Sequence, residues 1–252
     1  MKKTYLASSL LLLALLLPAS SLAFEIGARG YYWFPSLDGT ARVDENGIVG
    51  STVDFEKEFG IEDENYPSFE VFLGGGRHHL SFIYTNIDYS GRKTLTREII
   101  FNGETYSIND LVTSSIEYKM MDLFYQYDFL NLENVLAGFS LGLVFHAKYL
   151  DGEVSLRNGG YEKEDFIFLI PMIGFNLHIG ILADLVEARL RGTAVGYSGN
   201  TLYELMADIS LTPLPFLDIH GGYRTFVINI DEDDIIFDYN MSGPYLALTV
   251  RF

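Results

Sequence analysis

Apolar and polar side chains alternate with a period of two along several long stretches of the chain, the mark of strands whose two faces meet different surroundings. In "NVLAGFSLGLVFHAKY", Val135, Ala137, Phe139, Leu141, Leu143, Phe145, Ala147 and Tyr149 share one face, and Gly138, Ser140, Gly142, His146 and Lys148 the other. In "FLIPMIGFNLHIG", Leu169, Pro171, Ile173, Phe175, Leu177 and Ile179 oppose Gly174, Asn176 and His178. In "PFLDIHGGYRTFV", Leu217, Ile219, Tyr223 and Val227 oppose Asp218, His220 and Arg224. The last ten residues, "GPYLALTVRF", set Leu246, Leu248, Val250 and Phe252 against Tyr245, Ala247, Thr249 and Arg251. These runs exceed the usual globular strand of about 5–6 residues. They match the roughly 9–11 tilted residues with which a strand crosses a bilayer.

Reading such runs along the whole chain predicts ten strands, at 24–34, 66–74, 78–90, 112–129, 135–150, 164–179, 182–197, 201–212, 216–229 and 236–252. Short connections (74–78, 131–134 and 212–215) alternate with long ones (35–66, 91–110 and 151–163). Short turns on one side and long loops on the other are the habit of a closed antiparallel transmembrane β-barrel, with turns periplasmic and loops extracellular. The fold class expected is therefore all-β. Eight and twelve strands stay open, because Asn46-Gly47 in the first long loop suggests a further hairpin. "ILADLVEARLRG" also fits a helix, with Leu182, Leu185, Val186 and Arg189 at helical spacing. It is read as a strand because Glu187, Arg189 and Arg191 then face away from Val186, Ala188 and Leu190. Phe82 and Ile83 put apolar residues on both faces of the third strand. Glycines 74–76 form a turn, since no helix follows to make them a phosphate loop.

The first residues change the picture. Lys2 and Lys3, the apolar run from Leu10 to Leu17 and Ser21-Leu22-Ala23 predict a secretory leader over 1–23, cleaved after Ala23, ahead of a barrel domain over 24–252. No later segment is a run of about 18 apolar residues, so no transmembrane helix is expected. The absence of cysteine excludes a disulfide scaffold, a thiolate nucleophile and a cysteine zinc site. The formal net charge is −17, and loss of Lys2 and Lys3 would take it to −19. Mean hydropathy is nonetheless +0.15. High acidity and high apolarity coexist when they are segregated along the chain, and the acidic balance argues against a nucleic-acid partner. Aromatic residues gather near strand ends, among them Tyr31, Tyr32, Trp33, Phe34, Tyr125, Tyr127, Phe129, Tyr149, Phe216 and Phe252, as in the girdles of membrane barrels.

With its leader, its alternating strands and its final "YLALTVRF", the chain resembles bacterial outer-membrane β-barrel proteins. The resemblance implies that Tyr245, Leu246, Leu248, Val250 and Phe252 form the assembly signal read by the barrel assembly machinery. It implies a place in the cell outer membrane, contact with outer-membrane lipid, and no particular activity. A closed cylinder also leaves no strand edge unpaired in hydrocarbon.

The candidate chemistry lies on the inward faces. Arg29, Asp122, His146, Lys148, Glu187, Arg189, Arg191, Glu204, Asp208, Asp218, His220 and Arg224 form either a charge network that fills a narrow lumen or the lining of a narrow channel for small polar or ionic solutes. The leading expectation is a structural or loop-mediated binding role without enzymatic activity and without a cofactor. A lipid hydrolase or protease would need a histidine beside a nucleophile or an activated water. No local pattern places such a partner next to His78, His79, His146, His178 or His220. His178 and His220 lack a third metal ligand at defined spacing. The acidic runs "VDFEKEFGIEDEN" (53–65) and Asp231, Glu232, Asp233 and Asp234 offer oxygen ligands for divalent cations, but without the pattern of a calcium loop. They read first as solvated loops.

Overall fold

A computed structural model describes residues 24–45, 47–101, 103–132, 138–158, 160–181 and 185–252. The expected leader lies outside these residues, as do Asn46 of the expected turn, Val135 and Ala137 of one predicted strand and Leu182 of another. Fourteen strands are described: β1 (Phe24–Trp33), β2 (Ser36–Val43), β3 (Val53–Asp54), β4 (Tyr66–Gly75), β5 (His78–Thr94), β6 (Ile99–Phe101), β7 (Glu104–Tyr106), β8 (Leu111–Asn131), β9 (Phe139–Asn158), β10 (Gly160–Ile181), β11 (Val186–Tyr197), β12 (Asn200–Leu214), β13 (Leu217–Glu232) and β14 (Ile235–Arg251). Ten of them, in the order β1-β4-β5-β8-β9-β10-β11-β12-β13-β14, form a ring that closes where β1 pairs antiparallel with β14, from Gly27↔Arg251 to Trp33↔Tyr245. Ile26 and Phe252 exchange backbone hydrogen bonds of 3.0 and 2.8 Å at the periplasmic end of this seam.

The barrel therefore has the ten strands expected, and "ILADLVEARLRG" contributes to strand β11, with Glu187 buried and Leu190 exposed. Glycines 74 and 75 belong to β4, so the turn itself falls at Gly76-Arg77, where Gly76 has φ +61°. The long loops differ from expectation. Residues 151–158 and 160–163 are strand and not loop: β9 and β10 stay paired from Phe139↔Ile179 at the base up to Asn158↔Gly160. Outside hydrocarbon a strand turns its polar face to water, and the charged residues of this stretch (Asp151, Glu153 and Arg157) lie on that outer face. The loop at 91–110 holds the end of β5 and the β6–β7 hairpin, and the first long loop holds β2 and β3.

The outer surface carries an apolar belt, with Phe69, Val71, Leu73, Leu123, Phe145, Ile173, Phe175, Leu205, Ile209, Ile219, Leu246 and Leu248 all exposed. Tyr32, Tyr203 and Tyr223 mark its upper reach, and Phe24 and Phe252 its lower. Above the belt the faces exchange character. On β9 the inward residues pass from His146 and Lys148 to Leu150, Val154 and Leu156, while the outward ones pass from Leu143 and Phe145 to Asp151 and Glu153. The barrel thus has a polar interior inside the membrane and an apolar one above it.

β2 continues the line of β1 along β14, after a break at Phe34-Pro35 opposite Gly243-Pro244. A Cβ on Gly243 would overlap the Phe34 carbonyl oxygen, so only glycine lets the two strands approach there. β4 ends at Tyr66, level with Trp33, and the first loop fills the wall above it. β3 pairs with β2, Ile61 bridges Gly91 of β5, and the Ser114 hydroxyl donates to the Phe59 carbonyl at 3.0 Å. Val53, Phe55, Phe59 and Ile61 are buried in the core, with Glu56, Lys57, Glu62 and Glu64 outside. The run 53–65 is a built part of the wall and not merely a solvated loop.

This docking depends on Gly91. A Cβ there would overlap the Phe59 carbonyl oxygen and sit 2.8 Å from the Gly60 carbonyl carbon, both backbone atoms. Gly91→Ala should cost the loop about 1–3 kcal/mol of docking free energy. The expected result is a rate of tryptic cleavage at exposed Lys57 about tenfold higher on the folded barrel. An unchanged rate would show that the loop does not rest on β5.

A charged septum and an apolar outer cup

Each inward charge is delivered by alternation, which sends one side chain in two of every strand to the lumen. Near the outer end of the belt five such side chains meet. The Lys148 ammonium on β9 donates to Asp122 Oδ1 on β8 at 2.6 Å and lies 2.7 Å from Glu204 Oε2 on β12. The Arg224 guanidinium on β13 lies 2.9 Å from Asp122 Oδ2 and 3.0 Å from Glu204 Oε1. Two carboxylates thus face two cations, and the set is neutral. His146 Nε2 donates to Asp122 Oδ1 at 2.9 Å, and its Nδ1 pairs with the Thr193 hydroxyl at 2.9 Å. Aromatic faces cap the cations: Lys148 lies 4.4 Å from the Phe226 centroid and Arg224 4.9 Å from that of Trp33. All five side chains are buried.

Two features of this septum resemble chemistry. Ligand atoms of Asp122, His146 and Glu204 lie within 4.8 Å of one another, the one group of three potential metal ligands that converges among the described residues. The Lys148 ammonium donates to Asp122 and forms an ion pair with Glu204, and so fills the role a metal ion would take. Asp122, His146 and Thr193 also line up as an acid, a base and a hydroxyl, but Thr193 and His146 are buried and line neither of the cavities described below.

The remaining predicted residues sit below the septum. Arg29 donates to the hydroxyls of Thr249 (2.6 Å) and Tyr31 (3.0 Å) and pairs with Glu70 at 3.3 Å; Tyr31 donates to Glu70. His220 bridges Asp208 (3.1 Å) and Thr249 (2.9 Å), and the Tyr245 hydroxyl donates to Asp208 at 3.1 Å. Tyr245 therefore serves the interior, whereas Leu246, Leu248, Val250 and Phe252 are exposed on the outside. Glu187 lies 3.3 Å from His178 and 3.9 Å from Arg189, and Asp218 lies 3.3 Å from Arg251. Arg191 stacks 3.7 Å from the Phe124 centroid. Many of these groups line a polar cavity of about 470 Å³. Glu70 and Tyr31 were not among the residues expected here, although Glu70 alternates with Phe69 and Val71 as an inward residue should.

Above the septum lies a larger cavity of about 1160 Å³. Phe55, Phe59, Leu150, Phe166, Phe226, Ile228 and Phe237 are among its walls, and it shares no lining residue with the lower cavity. Its rim is acidic, with Glu45, Glu104, Glu164 and Glu232. Lys163 on the same rim bonds Glu153 at 2.6 Å and Asp165 at 3.3 Å, and these partners hold its ammonium above the usual lysine range. None of the five histidines lines this cup. Asp231 and Glu232 end β13 and Asp233 and Asp234 form its turn; Glu232 accepts from Asn200 at 2.5 Å. The cup was not expected from the sequence, where its one signal is the change of inward residues from charged to apolar along β9 and β13.

No family model matches the chain, and no curated protein matches it. Solved structures with a similar fold include the outer membrane protease OmpT from Escherichia coli, at TM-score 0.62 and 10% identity over 92% of this chain and 99% of that one. The translocator domain of the autotransporter NalP from Neisseria meningitidis matches at TM-score 0.43 and 9% identity, over 99% and 95% of the two chains. Ail, the attachment invasion locus protein of Yersinia pestis, matches at TM-score 0.37 and 11% identity, over 91% and 99%. The fold is that of a bacterial outer-membrane β-barrel. At such identities the likeness carries the fold and none of OmpT's chemistry.

The septum predicts an asymmetry between breaking it and removing it. Lys148→Ala leaves Asp122 and Glu204 facing a single cation and should cost about 3–5 kcal/mol. Lys148→Met with Glu204→Gln keeps the Asp122–Arg224 pair and should restore most of that loss. The readout is the temperature at which the folded gel band converts to the unfolded one. Equal loss in both variants would show that charge balance does not govern the septum.

Proposed function

We propose that this chain is a non-enzymatic outer-membrane binding barrel whose outer cup takes an apolar or amphiphilic molecule. The observation that carries the reading is the cup itself, about 1160 Å³ in volume, apolar in lining and facing outward. Ligand pockets are commonly about 300–1,000 Å³ and mostly apolar with a few polar groups. A concave apolar surface of this extent is the kind that marks a binding site. The binding role agrees with the loop-mediated one expected from sequence, since the first loop supplies Phe55, Phe59 and Ile61 to the wall.

The charged septum argues against the channel reading, because its neutral, ion-paired set lies between the two cavities. The absence of histidine from the cup argues against a hydrolase of the acid–base kind there. In this reading export depends on the leader over 1–23. The assembly machinery reads the closing strand through Leu246, Leu248, Val250 and Phe252, and the belt meets outer-membrane lipid. Divalent cations would serve at most to moderate the acidic rim.

Two measurements test the reading. In a fluorinated surfactant, which mixes poorly with hydrocarbon, the refolded protein should enhance phenylnaphthylamine fluorescence saturably. Ile228→Lys, which puts a charge on the cup wall, should weaken that binding by about tenfold or more. In planar bilayers the same protein should be electrically silent. Absence of saturable binding would end the cup reading, and discrete conductance steps would restore the channel.

A further inference from the structure

Among the described residues, the strand pairing of the cup wall stops short on one side of β10. β10 pairs with β11 only from Ile181↔Val186 to Ile173↔Ala194, although β10 itself runs on to Gly160. β11 and β12 turn back early, through Ser198 (φ +53°) and Gly199 (φ +93°), a tight two-residue hairpin. β13 and β14 beyond them rise to Glu232↔Ile235. Between the upper half of β10 and the low β11–β12 hairpin the barrel therefore has a notch.

Pro171 helps to set its floor. Gly180 donates its N–H to Gly138, so even-numbered residues of β10 bond toward β9 and odd-numbered ones toward β11. Pro171 is odd and has no N–H to give, and the ladder to β11 stops just short of it, at Ile173.

The notch is an opening of the cup. Phe168 pairs with the inward Leu150 and lines the cavity, as does Tyr197, yet they are 53% and 82% exposed. Side chains that point inward and remain uncovered mark where the wall is missing. The opening also adjoins the membrane belt. Leu169 is level with Tyr149, and Ile167 with Asp151, where the neighbouring strand has already turned polar. Ile167 and Leu169 are 66% and 70% exposed and face outward. An apolar path thus climbs β10 from Phe175 and Ile173 through Leu169 and Ile167 to the lip of the cup.

Resting on the binding reading above, we propose that the ligand of the cup is the hydrocarbon chain of an outer-leaflet lipid, which enters sideways through the notch between β10 and the β11–β12 hairpin. Continuity of the apolar path with the belt favours a molecule already in the membrane. The acidic rim of Glu45, Glu104, Glu164 and Glu232 disfavours an anion arriving from the water above.

The test reconstitutes the mature protein in phosphatidylcholine vesicles whose acyl chain ends in a diazirine, followed by photolysis and peptide mass spectrometry. Labelling is expected on inward residues of the cup, Leu150, Phe226 and Ile228, as well as on belt residues. Leu169→Lys, on the path but not in the cup lining, should lower cup labelling about tenfold, since a charge there must be desolvated as the chain passes. It should leave phenylnaphthylamine binding in surfactant unchanged. Gly196→Trp supplies a second variant: a Cβ at Gly196 meets nothing closer than 3.5 Å, so the indole can be placed at the notch without backbone strain. It should likewise lower cup labelling; Gly196 lines the cup, so this variant is read by lipid labelling alone. Heat conversion on gels confirms that each variant is folded.

If the soluble probe binds and the lipid labels only the belt, lateral capture is wrong and the cup stands. Lateral capture fails in the same way if both notch variants label the cup as the wild type does. If neither probe reaches the cup, the binding reading fails with it.

Discussion

The seam between β1 and β14 is the constraint on which the rest of the structure depends. In hydrocarbon an unpaired backbone N–H or C=O costs several kcal/mol, so the first and last strands of the domain must find each other. They do so from Gly27↔Arg251 to Trp33↔Tyr245. Once closed, the cylinder separates an outer surface that can satisfy lipid from an interior that must satisfy itself. Every inward side chain then faces others at close range, and the interior charges settle into a neutral set. Asp122, Glu204, Lys148 and Arg224 answer one another because no bulk solvent lies there to answer them.

The same cylinder explains why the chain runs far above the membrane. β8, β9 and β10 are 21, 20 and 22 residues long, about twice what a bilayer crossing requires. Above the lipid, water replaces hydrocarbon outside, so the outer face turns polar and the apolar side chains turn in. Their packing with the first loop, through Val53, Phe55, Phe59 and Ile61, makes a second hydrophobic region on top of the charged one. The septum and the cup are thus two results of one wall passing through two solvents.

Much of this was legible in the chain. The period-two runs in the membrane-spanning part specified the ten strands, and the inward placement of Lys148, Glu204 and Arg224 followed from alternation alone. What alternation does not contain is which inward residues on strands far apart in sequence meet: Asp122 and Arg224 are separated by 102 positions. The longest misreading, at 151–163, has a clear cause. Period two continued there through Leu150, Val154 and Leu156, but with the faces exchanged, and charge on the face that had been apolar resembled a loop. The cup was hidden for the same reason, since its apolar lining continues strands whose lower inward residues are charged.

Trp33 gives the closed seam an optical signature. It is the single tryptophan of the chain, buried at the level where β1 ends, with Nε1 donating to the Gly243 carbonyl at 3.1 Å and Arg224 over its face. Those partners belong to the last two strands of the barrel, about two hundred residues away. The indole therefore acquires its dry, cation-capped surroundings only when the two ends of the domain have met. Its emission is a built-in chromophore for ring closure, which distinguishes a finished cylinder from a sheet that has merely gained its strands.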